Sequence, residues 1–85
     1  MKLIFCNACA DVVALSFEKR TCKCGASWGR YMDELYATVG GDAIAIGFAN
    51  DSFAKAILNR PEKGMGYEFK AFVIPKKCDT VFRRS

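Results

Sequence analysis

The sequence predicts an α+β fold in one domain. Three observations point there: two close cysteine pairs near the start, several short segments alternating apolar and polar residues, and one stretch of apolar residues at helical spacing. The chain has 85 residues, of which 52% are apolar and 13% aromatic. That composition supports a packed core, and the length leaves no room for a second domain. A core of this size is marginal and commonly gains from a staple, of which metal is one.

The first element rests on the cysteines. Four of the five form Cys6-x2-Cys9, then twelve residues, then Cys22-x-Cys24-Gly25. Two close pairs separated by a hairpin's length of chain are the spacing of a zinc ribbon. Each short turn can point two sulfurs into one pocket. Gly25 suits the tight turn of the second pair. The intervening Ala10 to Thr21 is expected to run out and back as an antiparallel hairpin, with Val13, Leu15 and Phe17 alternating and Glu18-Lys19-Arg20 at a polar tip. Two other readings compete with zinc. A disulfide framework needs an oxidising compartment, and a Cys6-x2-Cys9 redox dithiol needs a βαβ context that is not legible around it. The expected cofactor is one structural Zn2+ on Cys6, Cys9, Cys22 and Cys24.

The remaining elements follow in order. Ser27 to Tyr31 is expected to leave the cysteines as a third ribbon strand. Leu35 to Val39 and Ala43 to Phe48 read as a hairpin joined at Gly40-Gly41-Asp42, because glycine tolerates positive φ. Ile44, Ile46 and Phe48 share one face of the second strand. Ala43, Ala45 and Gly47 share the other, where another element can approach closely. Asn50-Asp51-Ser52 offers a choice of helix N-caps, and Asp51 reads as a cap rather than as company for a bound anion. Phe53, Ala54, Ile57 and Leu58 form the apolar stripe, and Pro61 ends the helix. Tyr67 to Ile74 reads as a strand, with Tyr67, Phe69, Ala71 and Val73 as its core face. Phe72 and Ile74 fall on the opposite face, which leaves a protein partner or a homodimer seam open. Lys76 to Ser85 is a basic tail, with a short strand at Thr80-Val81-Phe82. The expected architecture is therefore an N-terminal zinc ribbon (residues 1–31) merged with a small antiparallel β-sheet carrying one α-helix (residues 32–85).

Charge narrows the function. The formal net charge is +4. Four thiolates and one dication would lower it to about +2, so only local basic clusters argue for an anionic partner. The candidate contacts are Lys19, Arg20, Lys23, Arg30 and Lys76, with Trp28 and Tyr31 as neighbouring aromatics. The loop from Gly47 to Ser52 is a weaker candidate for an anion, since Asp51 already places a carboxylate there and the glycine pattern that cradles a pyrophosphate is missing.

The chain contains no histidine, and an all-thiolate site is closed to substrate, so no catalytic residues and no enzyme are expected. Cys78 reads as a partly buried apolar residue rather than a nucleophile. No run of about 18 apolar residues occurs, which argues against a membrane-spanning helix. Asn7 and Asp11 break the first apolar run too early for a signal peptide, and the expected location is the cytoplasm.

The stretches Cys22-Lys23-Cys24-Gly25, Ser27-Trp28-Gly29-Arg30-Tyr31, Gly41-Asp42-Ala43-Ile44, Gly47-Phe48-Ala49-Asn50 and Phe72-Val73-Ile74-Pro75-Lys76, together with Cys6-x2-Cys9, carry a resemblance over most of the chain. It resembles a family of small uncharacterised phage and prophage proteins. The resemblance implies an accessory factor in the bacterial host's cytoplasm, one that meets host or defence components. The resulting expectation is a non-enzymatic zinc-ribbon binding protein that engages a host protein or sequesters a nucleotide. The alternative is a nucleic-acid-binding, transcription-related zinc ribbon.

Overall fold

The computed structural model describes residues 1–84. In chain order the elements are β1 (Lys2–Cys6), β2 (Val12–Ala14), β3 (Arg20–Thr21), β4 (Ser27–Tyr31), β5 (Ala37–Gly41), β6 (Ala43–Phe48), α1 (Asn50–Leu58), β7 (Ala71–Val73) and β8 (Val81–Arg84). The class is α+β, with one helix and two four-stranded sheets ordered β2-β1-β6-β7 and β3-β4-β5-β8.

The core lies where the two sheets face each other. Ile4 and Cys6 of β1 sit beside Ala45 and Ala43 of β6, so bulky and small side chains alternate across the pair. Ile4, Cys6, Val13, Cys22, Val39 and Ala43 form one buried cluster, with Cys9, Leu15, Ala26 and Val81 packed against it. Cysteines of both pairs therefore belong to the same core as the later strands. The small face of β6, Ala43-Ala45-Gly47, is indeed the inward one.

Two expected hairpins do not form. The segment from Ala10 to Thr21 does not pair with itself: β2 pairs with β1, which buries Val13, while β3 pairs with β4. Nor do β5 and β6 pair. Gly41 does take a left-handed φ of 68°, but the corner carries the chain from one sheet into the other. The reason is crowding by the second cysteine turn. A Cβ on Gly41 would collide with the Ala26 carbonyl, and one on Gly40 would lie 2.3 Å from the Trp28 ring. The glycines serve close approach, and the Asp42 N–H donates to the Ala26 carbonyl at 3.0 Å. A second departure follows: β8 pairs with β5 in parallel, so the sheets are not wholly antiparallel.

The late strand is shorter than expected, and all three of its residues are exposed, Ala71 and Val73 of the expected core face included. Only Ala71–Val73 pairs with β6. The Phe72 ring packs over Gly47 yet stays exposed, and of this stretch only Ile74, just past the strand, is buried. Tyr67 is also exposed, whereas Phe69 joins an aromatic cluster with Phe48 and Phe53. That cluster ties α1 to the end of β6. The cap of α1 is Ala49, with no side-chain cap bond. Asn50 instead accepts from the N-terminal ammonium, and the Ser52 hydroxyl donates to the Ala49 carbonyl and accepts from the Lys70 N–H. Asp51 does not cap. The final short strand is Val81–Arg84 rather than Thr80 to Phe82.

Replacement of Gly40 by alanine forces the Trp28 indole off the sheet. A loss of about 1–3 kcal/mol is expected in urea unfolding, with a shifted tryptophan emission maximum. An unchanged unfolding midpoint would show that the indole moves aside freely.

Candidate metal centre

Each cysteine pair sits on a turn that ends one strand or starts the next. Cys6 closes β1 and Cys9 lies in the turn after it, while Cys22 follows β3 and Cys24 lies in the turn before β4. The turns share a design: the residue after the second cysteine is left-handed in both, Ala10 at φ 61° and Gly25 at φ 84°. The glycine was legible as a turn residue. The alanine was not, since nothing in its chemistry favours that conformation. The Asp11 carboxylate ties the turns together by accepting from the Lys23 N–H at 2.8 Å.

The four sulfurs converge. All lie within 4.8 Å of one another and form a group that could hold a metal ion. Cys6 Sγ stands 3.7 Å from Cys24 Sγ, and Cys22 Sγ stands 3.6 Å from Cys24 Sγ. Backbone donors surround them. The N–H groups of Ala8 and Cys9 donate to Cys6 Sγ at 3.4 Å each, that of Ser27 to Cys22 Sγ at 3.3 Å, and that of Ala26 to Cys24 Sγ at 3.4 Å. Such donors stabilise thiolates. Cys6 and Cys22 are buried, Cys9 is half-buried and Cys24 is exposed, so the group spans from core to surface.

The thiols respond unequally to this setting. Cys6 is pulled down to about 6, first by the Ser27 hydroxyl; burial opposes the shift, and the N–H groups of Cys9 and Ala8 and the Cys22 thiol assist it. Cys22 is also lowered: burial works against ionisation, but the Ser27 N–H and the Cys24 thiol outweigh it. Cys24 moves the other way, to about 12. The Ala26 N–H favours its thiolate, yet the neighbouring thiols of Cys22, Cys9 and Cys6, together with burial, outweigh that donor. Four sulfurs this close do not all shed their protons unless a cation takes the protons' place.

Ser27 is the residue that sequence reasoning missed. It is fully buried, and its Oγ makes no bond of acceptable geometry with any described group. We therefore read its effect on Cys6 as that of an O–H dipole beside a sulfur, not of a formed hydrogen bond. An ionised Cys6 is the acceptor that this hydroxyl lacks. No pattern marks such a serine, because the residue type is equally common in turns and on surfaces.

The basic candidates do not form one surface. Lys19 and Arg30 come together around a groove of about 550 Å³, also lined by Trp28, Met32, Thr38 and Arg84. The Lys19 ammonium lies 4.9 Å from the centre of the Trp28 ring. Arg20 turns away and donates to the Ala14 carbonyl at 3.1 Å. Lys23 is exposed beside the second cysteine turn. Lys76 lies elsewhere, at an apolar cavity of about 540 Å³ lined by Val39, Ile44, Ile74, Val81 and Arg83. Arg84 belongs to the tail that the sequence marked only as basic. Cys78 lies outside the sulfur cluster; its thiol is lowered by the Thr80 hydroxyl, whose oxygen is 3.4 Å away. Among the described residues no helix is long and apolar enough to cross a membrane. Comparison of the chain with protein-family models, with curated proteins and with solved structures found no match.

Two expectations follow from the turns. Ser27→Ala lowers the affinity for zinc by about 10- to 100-fold, measured by competition with a chromophoric chelator; equal affinities would show that the hydroxyl is idle. Ala10→Gly relieves a left-handed alanine and raises stability by about 0.5–1 kcal/mol, whereas Gly25→Ala lowers it by a similar amount. Shifts of the same sign in thermal unfolding would contradict the shared turn design.

Proposed function

We propose that the four cysteines hold one structural zinc ion and that the protein is a non-enzymatic zinc-ribbon binding protein. The observation that carries the metal reading is the sulfur spacing. A tetrahedral ion with Zn–S bonds of about 2.3 Å sets its sulfurs about 3.8 Å apart. The contacts at 3.6 and 3.7 Å agree with that edge. They are far longer than the roughly 2.05 Å of a disulfide. The N–H donors and the Ser27 hydroxyl suit four thiolates on a dication.

Four thiolates complete the coordination of such an ion and leave no position for water or substrate. Together with the missing histidine, this supports a role in binding rather than catalysis. Because Cys6 and Cys22 are also core residues, the ion would act as the staple that a small core needs. The resemblance drawn above supports a phage-encoded factor acting in the host cytoplasm, with a host protein or a nucleotide as the thing bound. One observation favours the nucleic-acid alternative for the partner: a lysine capping the only tryptophan, in a groove also edged by two arginines.

Purified protein is expected to carry one zinc per chain by elemental analysis. A strong chelator should remove it with loss of near-ultraviolet circular dichroism, and added zinc should restore the signal. A fold that survives unchanged without metal, or iron in place of zinc, would overturn the reading.

A further inference from the structure

We infer that the outer face of the second sheet is a groove for single-stranded nucleic acid. In it Trp28 and Phe82 offer stacking surfaces, and Lys19, Arg30 and Arg84 meet phosphates. The inference rests on the reading of this chain as a binding protein and gives that reading a ligand class and a place.

The sheet register builds the face. Trp28 of β4 is level with Gly40 of β5, and Gly40 is level with Arg84 of β8. Two residues along, Arg30 is level with Thr38, and Thr38 is level with Phe82. The outer face is therefore a small grid. Aromatic rings stand at two opposite corners, guanidinium groups stand at the other two, and small residues line the middle. Strands about 4.8 Å apart separate the two outer columns by about 10 Å, enough for a chain of bases to lie between them. The indole lies across Gly40 and forms that part of the floor, and the Thr38 hydroxyl donates to the Met32 thioether, which lines the groove beside it.

The chemistry of the lining is one-signed. Three cations border the groove and no carboxylate does. Phe82 is 46% exposed and stacks on Tyr36 with ring centres 5.9 Å apart, which backs the ring and holds it in place. Lys19 caps the Trp28 ring by a cation–π contact. An incoming base can displace this flexible side chain and leave its ammonium free for the adjoining phosphate.

Stacking surfaces beside separated cations are the arrangement by which proteins hold single strands without reading sequence. A duplex hides its base faces and cannot use the rings. A single nucleotide can occupy one ring and one cation, but not both ends of the grid.

The test uses the full-length zinc-loaded protein and oligothymidylate or oligouridylate of about twelve nucleotides. Trp28 is the only tryptophan, so its fluorescence reports directly on the groove. Quenching is expected, with affinity falling as salt rises, at a log–log slope of about −2 for three phosphate contacts. The combined exposed-side-chain variant Lys19→Gln, Arg30→Gln, Arg84→Gln should bind at least about tenfold more weakly and bring the slope towards zero. Trp28→Leu should weaken binding roughly five- to hundredfold, read by anisotropy of a labelled strand. Lys63→Gln, on the loop after the helix, should leave binding unchanged.

Failure of the strands to quench Trp28 overturns the inference, as does full affinity in the triple variant. So does a duplex of equal length, or thymidine monophosphate, binding as tightly as the strand. Zinc content and circular dichroism of the same samples report separately on the metal reading and on folding, so the two failures are told apart.

Discussion

The convergence of four sulfurs at the seam between two sheets is the constraint on which the structure depends. Cys6 ends a strand of one sheet, and Cys22 and Cys24 flank the turn that enters the other. Neither sheet is large enough to bury a full face alone. β2, β3 and β7 have two or three residues each, and such strands are marginal without something that fixes their register. Shared membership of Cys6 and Cys22 in the core makes the cysteine turns part of the packing. Their geometry therefore sets the spacing of Ile4, Val13, Val39 and Ala43.

The same turns decide the topology. The Ala26 carbonyl and the Trp28 ring press on Gly41 and Gly40 and leave that corner no freedom to close as a hairpin. The chain leaves one sheet there and enters the other. Each strand at the corner then takes partners from elsewhere: β5 pairs with β4 and β8, and β6 with β1 and β7. One crowded corner accounts for the two-sheet arrangement and for the place of the half-buried Trp28 on an outer face.

Local chemistry made some of this legible from sequence, and long-range packing hid the rest. The cysteine spacing marked the sulfur cluster, and alternation marked β6 with its small inward face. The helix itself was visible from the helical spacing and Pro61, but of the expected stripe only Phe53 packs; Ala54, Ile57 and Leu58 are exposed and Ala56 is the buried residue. Strand partners were not visible, because Gly40-Gly41 satisfies a hairpin turn and a crossing corner equally well. The facing of β7 was not legible: both faces of that segment are apolar, and Ala71, Phe72 and Val73 are all exposed, with the Phe72 ring over Gly47. At the sulfur cluster, Ser27 and the left-handed Ala10 carry no signal of their own. Among the basic residues, Lys19 and Arg30 were named, but which lysines and arginines share a surface depends on register that sequence does not display.

The parallel pairing of β8 with β5 has a kinetic consequence. It joins Ala37 to Val81, about half the chain apart, whereas the neighbouring pairing joins Tyr31 to Ala37. Loop closure over so long an interval is entropically costly, and contacts of this kind form late. The edge that holds Phe82 and Arg84 is thus the last part of its sheet to assemble and the first to fray. The cysteine turns lie at the other end of that time order. A molecule caught early in folding would already gather its sulfurs while its outer face was still half-built.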